Sequence, residues 1–76
     1  MNKFRRKQIE TIADKLSSIA DEIDAVQEEE EEYRDNIPEN LQGSERYELA
    51  EAAVDALMEA ADSVRSAIDS LEQAGA

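Results

Sequence analysis

Apolar residues recur at alternating intervals of three and four positions in two long segments, and this spacing restricts the possible folds more than any other feature. In the first segment the repeat consists of Ile9, Ile12, Leu16, Ile19, Ile23 and Val26. In the second segment it consists of Tyr47, Ala50, Val54, Leu57, Ala61, Val64, Ile68 and Leu71. Such a stripe is typical of the a and d positions of a coiled-coil-like helix. The spacing predicts two long amphipathic helices.

The residues that interrupt helices are concentrated between these two segments. Pro38 and Gly43 lie there, and the only other glycine is Gly75. We therefore predict a helix over about residues 3–35, a capped loop over 36–44 and a helix over about 45–73. Because the loop is short, the helices should pack antiparallel. The predicted fold class is all-α, a single coiled-coil-like helical hairpin spanning residues 1–76.

The loop contains capping signals of its own. Asn36 followed by Glu39 resembles a capping box that begins a short turn. Gly43 is expected to end that turn in the left-handed conformation. Ser44 is expected to cap the second helix, with Glu45 close to the positive end of the helix dipole.

Small residues widen the apolar side of both helices. Ala13 and Ala20 flank the first stripe, Met58 lies on one flank of the second, and the other flank has an alanine every seven residues: Ala53, Ala60, Ala67 and Ala74. One partner helix would not cover so wide a surface. A chain of 76 residues without cysteine also needs another source of stability, and oligomerisation supplies one. We expect the hairpin to assemble into a dimer or tetramer, for example with two hairpins forming a four-helix bundle.

The charge of the chain favours some partners and disfavours others. It has 20 acidic and 8 basic residues and a net charge of -12, and four of the basic residues precede Gln8. A surface this negative repels nucleic acids and anionic membranes and attracts basic proteins. We expect no direct nucleic-acid binding and no membrane association. No apolar run approaches the roughly 20 residues of a membrane span, and no signal peptide is apparent, so the expected location is the cytoplasm.

The sequence lacks the residues that most catalytic and metal sites require. It contains no His and no Cys, so its serines have no evident general base. The run Glu28–Glu32 points around a helix rather than toward one cation, and it lacks the spacing of a calcium loop. A di-metal bundle site would need Glu-x-x-His pairs. We predict no enzymatic activity, no metal and no cofactor.

One basic cluster, with an aromatic residue inside it, opens the chain: Lys3, Phe4, Arg5, Arg6 and Lys7. At a helix N-terminus it could hold an anionic ligand, such as the phosphate of a signalling nucleotide. Alternatively, its basic side chains neutralise Asp69 and Glu72 of the second helix.

A second group of polar and aromatic residues flanks the loop. It consists of Glu30, Tyr33, Arg34, Arg46 and Tyr47. Glu30 is expected to pair either with Arg46 across the hairpin or with a basic partner. Tyrosine and arginine are enriched in interface hot spots, which makes this group a candidate contact for a partner. The alternative is a structural role, in which these residues close the end of the bundle together with Ile37 and Leu41.

The loop and its flanks also resemble a known family. The stretch from Glu30 to Glu48, with the core DNIPENLQGSERYE, and the opening Arg5–Ile9 are similar to small acidic helical-hairpin proteins of Gram-positive bacteria, their phages and their mobile elements. The loop core is more specific than the helices. No activity is established for that family, so the resemblance implies only a phage or mobile-element setting inside a bacterial host cell.

These observations favour a non-enzymatic acidic protein that binds and modulates a host or defence protein. Counter-defence would suit such a protein, and one form is DNA mimicry, in which rows of carboxylates occupy a DNA-binding cleft. An alternative is an oligomeric sponge for a signalling nucleotide. A third interpretation is a structural, self-assembling bundle.

Overall fold

The computed structural model of residues 1–76 consists of two long helices joined by a structured loop. Helix α1 spans Lys3–Asp35, a 3-10 turn spans Glu39–Leu41, and helix α2 spans Glu45–Gly75. The helices pack side by side into a rod of 60 × 14 × 12 Å. The predicted all-α helical hairpin is confirmed.

Both helices begin at a capping side chain. The backbone N–H of Arg5 donates to Asn2 Oδ1 at 2.8 Å, a cap that the sequence reasoning missed. The N–H of Tyr47 donates to Ser44 Oγ at 3.4 Å, so the predicted cap of α2 is confirmed. Glu45 lies in the first turn of α2, where its charge favours the helix dipole. These caps satisfy N–H groups that otherwise lack partners at a helix start.

Two details of the loop differ from the prediction. Asn36 is the C-cap of α1: its backbone N–H donates to the carbonyl of Glu32 at 3.0 Å, and the N–H of Ile37 donates to the carbonyl of Arg34 at 3.1 Å. The 3-10 turn that follows has no side-chain cap. The predicted capping box is therefore wrong. Gly43 does not have a positive φ, so the predicted left-handed turn is wrong as well. The N–H of Ser44 donates to the carbonyl of Leu41 at 3.0 Å, and this bond lets the loop enter α2 without a left-handed residue.

The side of α2 that packs against α1 is the predicted one. All eight residues of its stripe are buried or half-buried. On α1 the packed side is rotated from the prediction. Ala13 and Ala20 are the buried residues of that helix, and Ile9, Leu16 and Ile23 beside them are half-buried. The other three members of the predicted stripe, Ile12, Ile19 and Val26, are exposed.

The hairpin encloses a very small core. Its six buried residues are Ala13, Ala20, Ile37, Ala50, Val54 and Ala61. Ile37 covers the loop end of the hairpin as expected, but Leu41 is exposed, so that part of the prediction is wrong. Small side chains let the two backbones approach closely, and they also limit the apolar area that the hairpin removes from water.

The surface is large for the mass of the chain. A compact protein of 8.5 kDa would expose about 4,700 Å². The hairpin exposes 5617 Å². Its radius of gyration is 17.4 Å, against about 11 Å for a compact domain of this length. A two-helix rod therefore leaves apolar surface in water that a compact fold would cover.

Candidate interaction surfaces

A continuous apolar surface follows one side of the rod. On α1 it consists of four exposed side chains spaced seven residues apart: Ile12, Ile19, Val26 and Tyr33. On α2 it consists of Leu49, Ala53, Ala60, Ala67 and Ala74, of which all but the half-buried Ala53 are exposed. We call these nine residues the apolar face. The sequence analysis identified the α1 residues and the alanines, but it assigned the α1 residues to the contact with α2 and missed Leu49.

The two rows of the apolar face lie on the same side of the hairpin. Tyr33 and Leu49 line one groove beside the loop, which fixes the side at that end. Residues seven apart on a helix drift by only about 20°, so the α1 row stays on that side along its length. The four alanines follow Leu49 by 4, 11, 18 and 25 positions, all close to whole numbers of helical turns.

An ion-pair cluster marks the opposite side of the rod. The guanidinium of Arg65 donates to both carboxylate oxygens of Asp24, with Nη1 to Oδ1 at 3.4 Å. Asp21 Oδ1 lies 3.7 Å from Nη2 of the same group. The hydrogen bond from Arg65 lowers the pKa of Asp24, and Asp24 in turn raises the pKa of Arg65. Met58 stands seven residues before Arg65 and shares this side, away from the apolar face. The sequence reasoning missed this cluster, although Arg65 is the only basic residue of α2 after Arg46.

At the loop end, a tyrosine–arginine contact joins the helices. Arg46 Nε donates to the hydroxyl of Tyr33 at 2.8 Å, and its guanidinium carbon lies 5.7 Å from the ring centre. A cation so placed is attracted by the ring face. Glu30 lines the groove beside them but forms no ion pair with Arg46, so the first of its two predicted pairings is wrong, and the pairing with a basic partner stays a prediction.

The other two candidates beside the loop, Arg34 and Tyr47, do not line this groove. Arg34 Nε donates to Asp35 Oδ1 at 3.1 Å, and this bond raises the pKa of Arg34. Tyr47 is half-buried in the contact between the helices. The structure thus brings Glu30, Tyr33 and Arg46 together at one groove and separates Arg34 and Tyr47 from it.

The basic cluster at the start of α1 does not converge on one point. Phe4 and Lys7 line a shallow groove with Gln8, Thr11 and Ile12 on one side of the helix, whereas Arg6 lines a different groove. Phe4 is largely exposed. The side chains are distributed around the helix, because consecutive residues differ in direction by about 100°.

The basic cluster forms no ion pairs with α2, so the predicted neutralisation of Asp69 and Glu72 is not observed as ion pairs. Lys7 Nζ pairs instead with Glu10 of its own helix, at 3.9 Å. Arg6 and Glu72 line one groove near Gly75 without reaching ion-pair distance. The cluster therefore keeps most of its positive charge at the open end of the rod, opposite the loop.

The acidic run Glu28–Glu32 lies near the other end of the rod. Glu30 and Glu31 are half-buried and the other three are exposed. Gln27 Nε2 donates to Glu31 Oε1 at 3.3 Å. No group of three or more acidic residues is arranged to hold a metal ion. Neither helix has a segment that is long and apolar enough to cross a membrane.

Comparison of the chain with protein-family models, with curated proteins and with solved structures finds no match.

Proposed function

We propose that this chain is a non-enzymatic interaction protein that associates with itself through the apolar face and with a basic protein through its acidic exterior. The observation that carries the proposal is the division of the surface. Apolar side chains of α1 and α2 form one continuous side of the rod, and acidic side chains dominate the rest. Exposed apolar patches rimmed by polar residues are typical of protein–protein contacts.

The acidic exterior favours a partner that normally binds a polyanion. The net charge of -12 is carried by exposed carboxylates on two rigid helices. Complementary charge raises the rate of association and selects the partner. A DNA-binding protein of the bacterial host, including a defence protein, has the required positive cleft. The resemblance of the loop to proteins of phages and mobile elements supports a modulating role of this kind.

The test is affinity capture from the native host, followed by purification of the retained protein. We expect a DNA-binding protein that salt releases and that duplex DNA displaces, because both compete for the same positive surface. A variant in which the exposed Glu28, Glu29 and Glu32 are all changed to Gln should lose much of the retention. Lys15→Gln is the matched control, since it alters an exposed residue of α1 without removing negative charge. If the purified protein binds the triple variant as tightly as the wild type, the acidic run is not the contact. If DNA fails to displace it, the mimicry mechanism is wrong.

A further inference from the structure

We propose that a second copy of this hairpin covers the apolar face with its loop at the opposite end of the rod, around a two-fold axis that passes at the level of Ile19. This inference rests on the self-association in the proposed function and specifies its geometry.

The size of the apolar face suits a second copy. From Arg5, which precedes Ile12 by seven residues, to Tyr33 the α1 row extends over about 42 Å at 1.5 Å per residue. With a rod width of 14 Å, a face-to-face dimer would bury roughly 600 Å² on each copy, or about 1,200 Å² in total, the lower end of the range for stable interfaces. The rod exposes roughly 900 Å² more surface than a compact protein of its mass would. This excess is comparable to the area that a face-to-face dimer would bury.

Two symmetric orientations are available, because the axis of a two-fold dimer lies in its own interface. An axis along the helices places the two loops at the same end. An axis across the helices places them at opposite ends. In both arrangements all neighbouring helices are antiparallel, so packing alone does not choose between them.

Charge chooses between the two orientations. The open end carries Lys3, Arg5, Arg6 and Lys7 against three acidic residues, Glu10, Asp69 and Glu72. The loop end carries nine acidic residues, Glu28–Glu32 with Asp35, Glu39, Glu45 and Glu48, against Arg34 and Arg46. Loops at the same end would place the two acidic ends side by side. Loops at opposite ends place the basic end of each copy beside the acidic end of its partner, and the carboxylates of the two loop ends are kept apart.

The α1 row is symmetric about Ile19. The row runs Arg5, Ile12, Ile19, Val26 and Tyr33 at intervals of seven. An axis across the helices at Ile19 pairs that residue with its own copy. It also pairs Ile12 with Val26 and Arg5 with Tyr33. The cation is then next to the aromatic ring and to Glu30, which lines the same groove.

The α2 row is centred near the same level. The midpoint of Ala53, Ala60, Ala67 and Ala74 lies between Ser63 and Val64. Ile9 lies against Gly75, and Tyr33 bonds to Arg46, which fixes how the two helices align. Interpolating between these two contacts places Ile19 beside Ser63, and the contact of Asp24 with Arg65 shifts this level toward the C-terminus of α2, so Ile19 lies within a few residues of the midpoint of the alanine row. One axis therefore pairs Ala60 with Ala67 and Ala53 with Ala74 while it pairs the α1 row.

Single cysteines test this geometry, since the natural chain has none. Ile19→Cys should form a covalent dimer efficiently with a short thiol crosslinker, because the two thiols meet on the axis. Val26→Cys is the matched control and should crosslink poorly alone, since its copies lie about 21 Å apart along the rod. A mixture of Ile12→Cys and Val26→Cys chains should form the heterodimer. Equal crosslinking of Ile19→Cys and Val26→Cys would overturn the register.

Two further measurements separate the possible failures. Light scattering behind a sizing column should give the mass of a dimer, and a monomer at all concentrations would overturn self-association itself. A dimer whose Ile19→Cys form does not crosslink would overturn the proposed orientation and register and leave self-association standing. Arg5→Glu should weaken dimerisation about tenfold, because two symmetric charge contacts are reversed, and it should leave the helical content unchanged. An unchanged dimer affinity would contradict the orientation chosen from charge. The capture of a basic partner tests the acidic exterior separately from dimerisation.

Discussion

Truncation of Val54 measures how much stability the contact between the two helices supplies. Val54 is the largest fully buried side chain of the hairpin and only 2% exposed. Val54→Ala removes two methyl groups, which is a transfer loss of about 1.6 kcal/mol. A residual void of some 40 Å³ would add about 1 kcal/mol. The higher helix propensity of Ala returns about 0.5 kcal/mol. We expect the free energy of unfolding to fall by about 2 kcal/mol, and the melting temperature by roughly 8–16 °C.

The matched control is Val26→Ala, which makes the same chemical change on the apolar face. Val26 is 51% exposed, so in dilute solution its truncation should change stability by less than about 0.5 kcal/mol. The assay is urea unfolding followed by far-ultraviolet circular dichroism at several protein concentrations. As the dimer becomes populated, the cost of Val26→Ala should rise while that of Val54→Ala stays constant. Equal costs for both variants in the dilute limit would refute the described contact between α1 and α2.

Three further outcomes are expected. Ser44→Ala should lower the free energy of unfolding by about 1 kcal/mol because α2 loses its cap, whereas Ser63→Ala, at an exposed position inside the helix, should not lower it; urea midpoints compare the two. Asp24→Asn tests the contact with Arg65 by pH titration of stability. The folded pKa of Asp24 is lowered from 3.8, so the stabilising effect of the pair is complete above that value and is lost as the pH falls through the folded pKa. The stability difference between wild type and variant should therefore be constant near neutral pH and shrink in acid, and a difference that is independent of pH down to full protonation would contradict it. Added sodium chloride should raise the urea midpoint at neutral pH, because screening relieves the repulsion within a chain of net charge -12; a falling midpoint would contradict that.

The hairpin and the packed residues of α2 were predictable because the spacing of the apolar residues and the position of the helix-breaking residues indicated the same two helices. The α2 stripe is flanked by alanines, so its larger residues had one direction in which to pack. On α1 the apolar surface is about twice as wide as the contact, and periodicity does not say which half meets α2. Ala13 and Ala20 are the residues that decide it, since their small, buried side chains permit the closest approach of the α1 backbone to α2.

The prediction for the loop was wrong for a different reason. Glycine near a helix boundary favours a left-handed turn, but a 3-10 turn can join two helices with i to i+3 hydrogen bonds alone. The carbonyl of Leu41 accepts from Ser44 in this way, and Gly43 keeps an ordinary φ. Which of these two solutions a loop adopts depends on how the helices dock, and docking is not encoded by the loop residues alone.

The positions of the two charged clusters are difficult to explain within a single hairpin. Positive charge near the N-terminus of α1 and negative charge near its C-terminus both oppose the helix dipole. No ion pair between α1 and α2 compensates either cluster, since the one inter-helix ion pair cluster joins Arg65 to Asp21 and Asp24 near the middle of the rod. Across the proposed two-fold axis, each cluster lies beside the opposite cluster of the second copy. Two arrangements that disfavour the isolated helix therefore become complementary in one dimer orientation and mutually repulsive in the other, and the acidic sides that face away from the axis stay available to a basic partner.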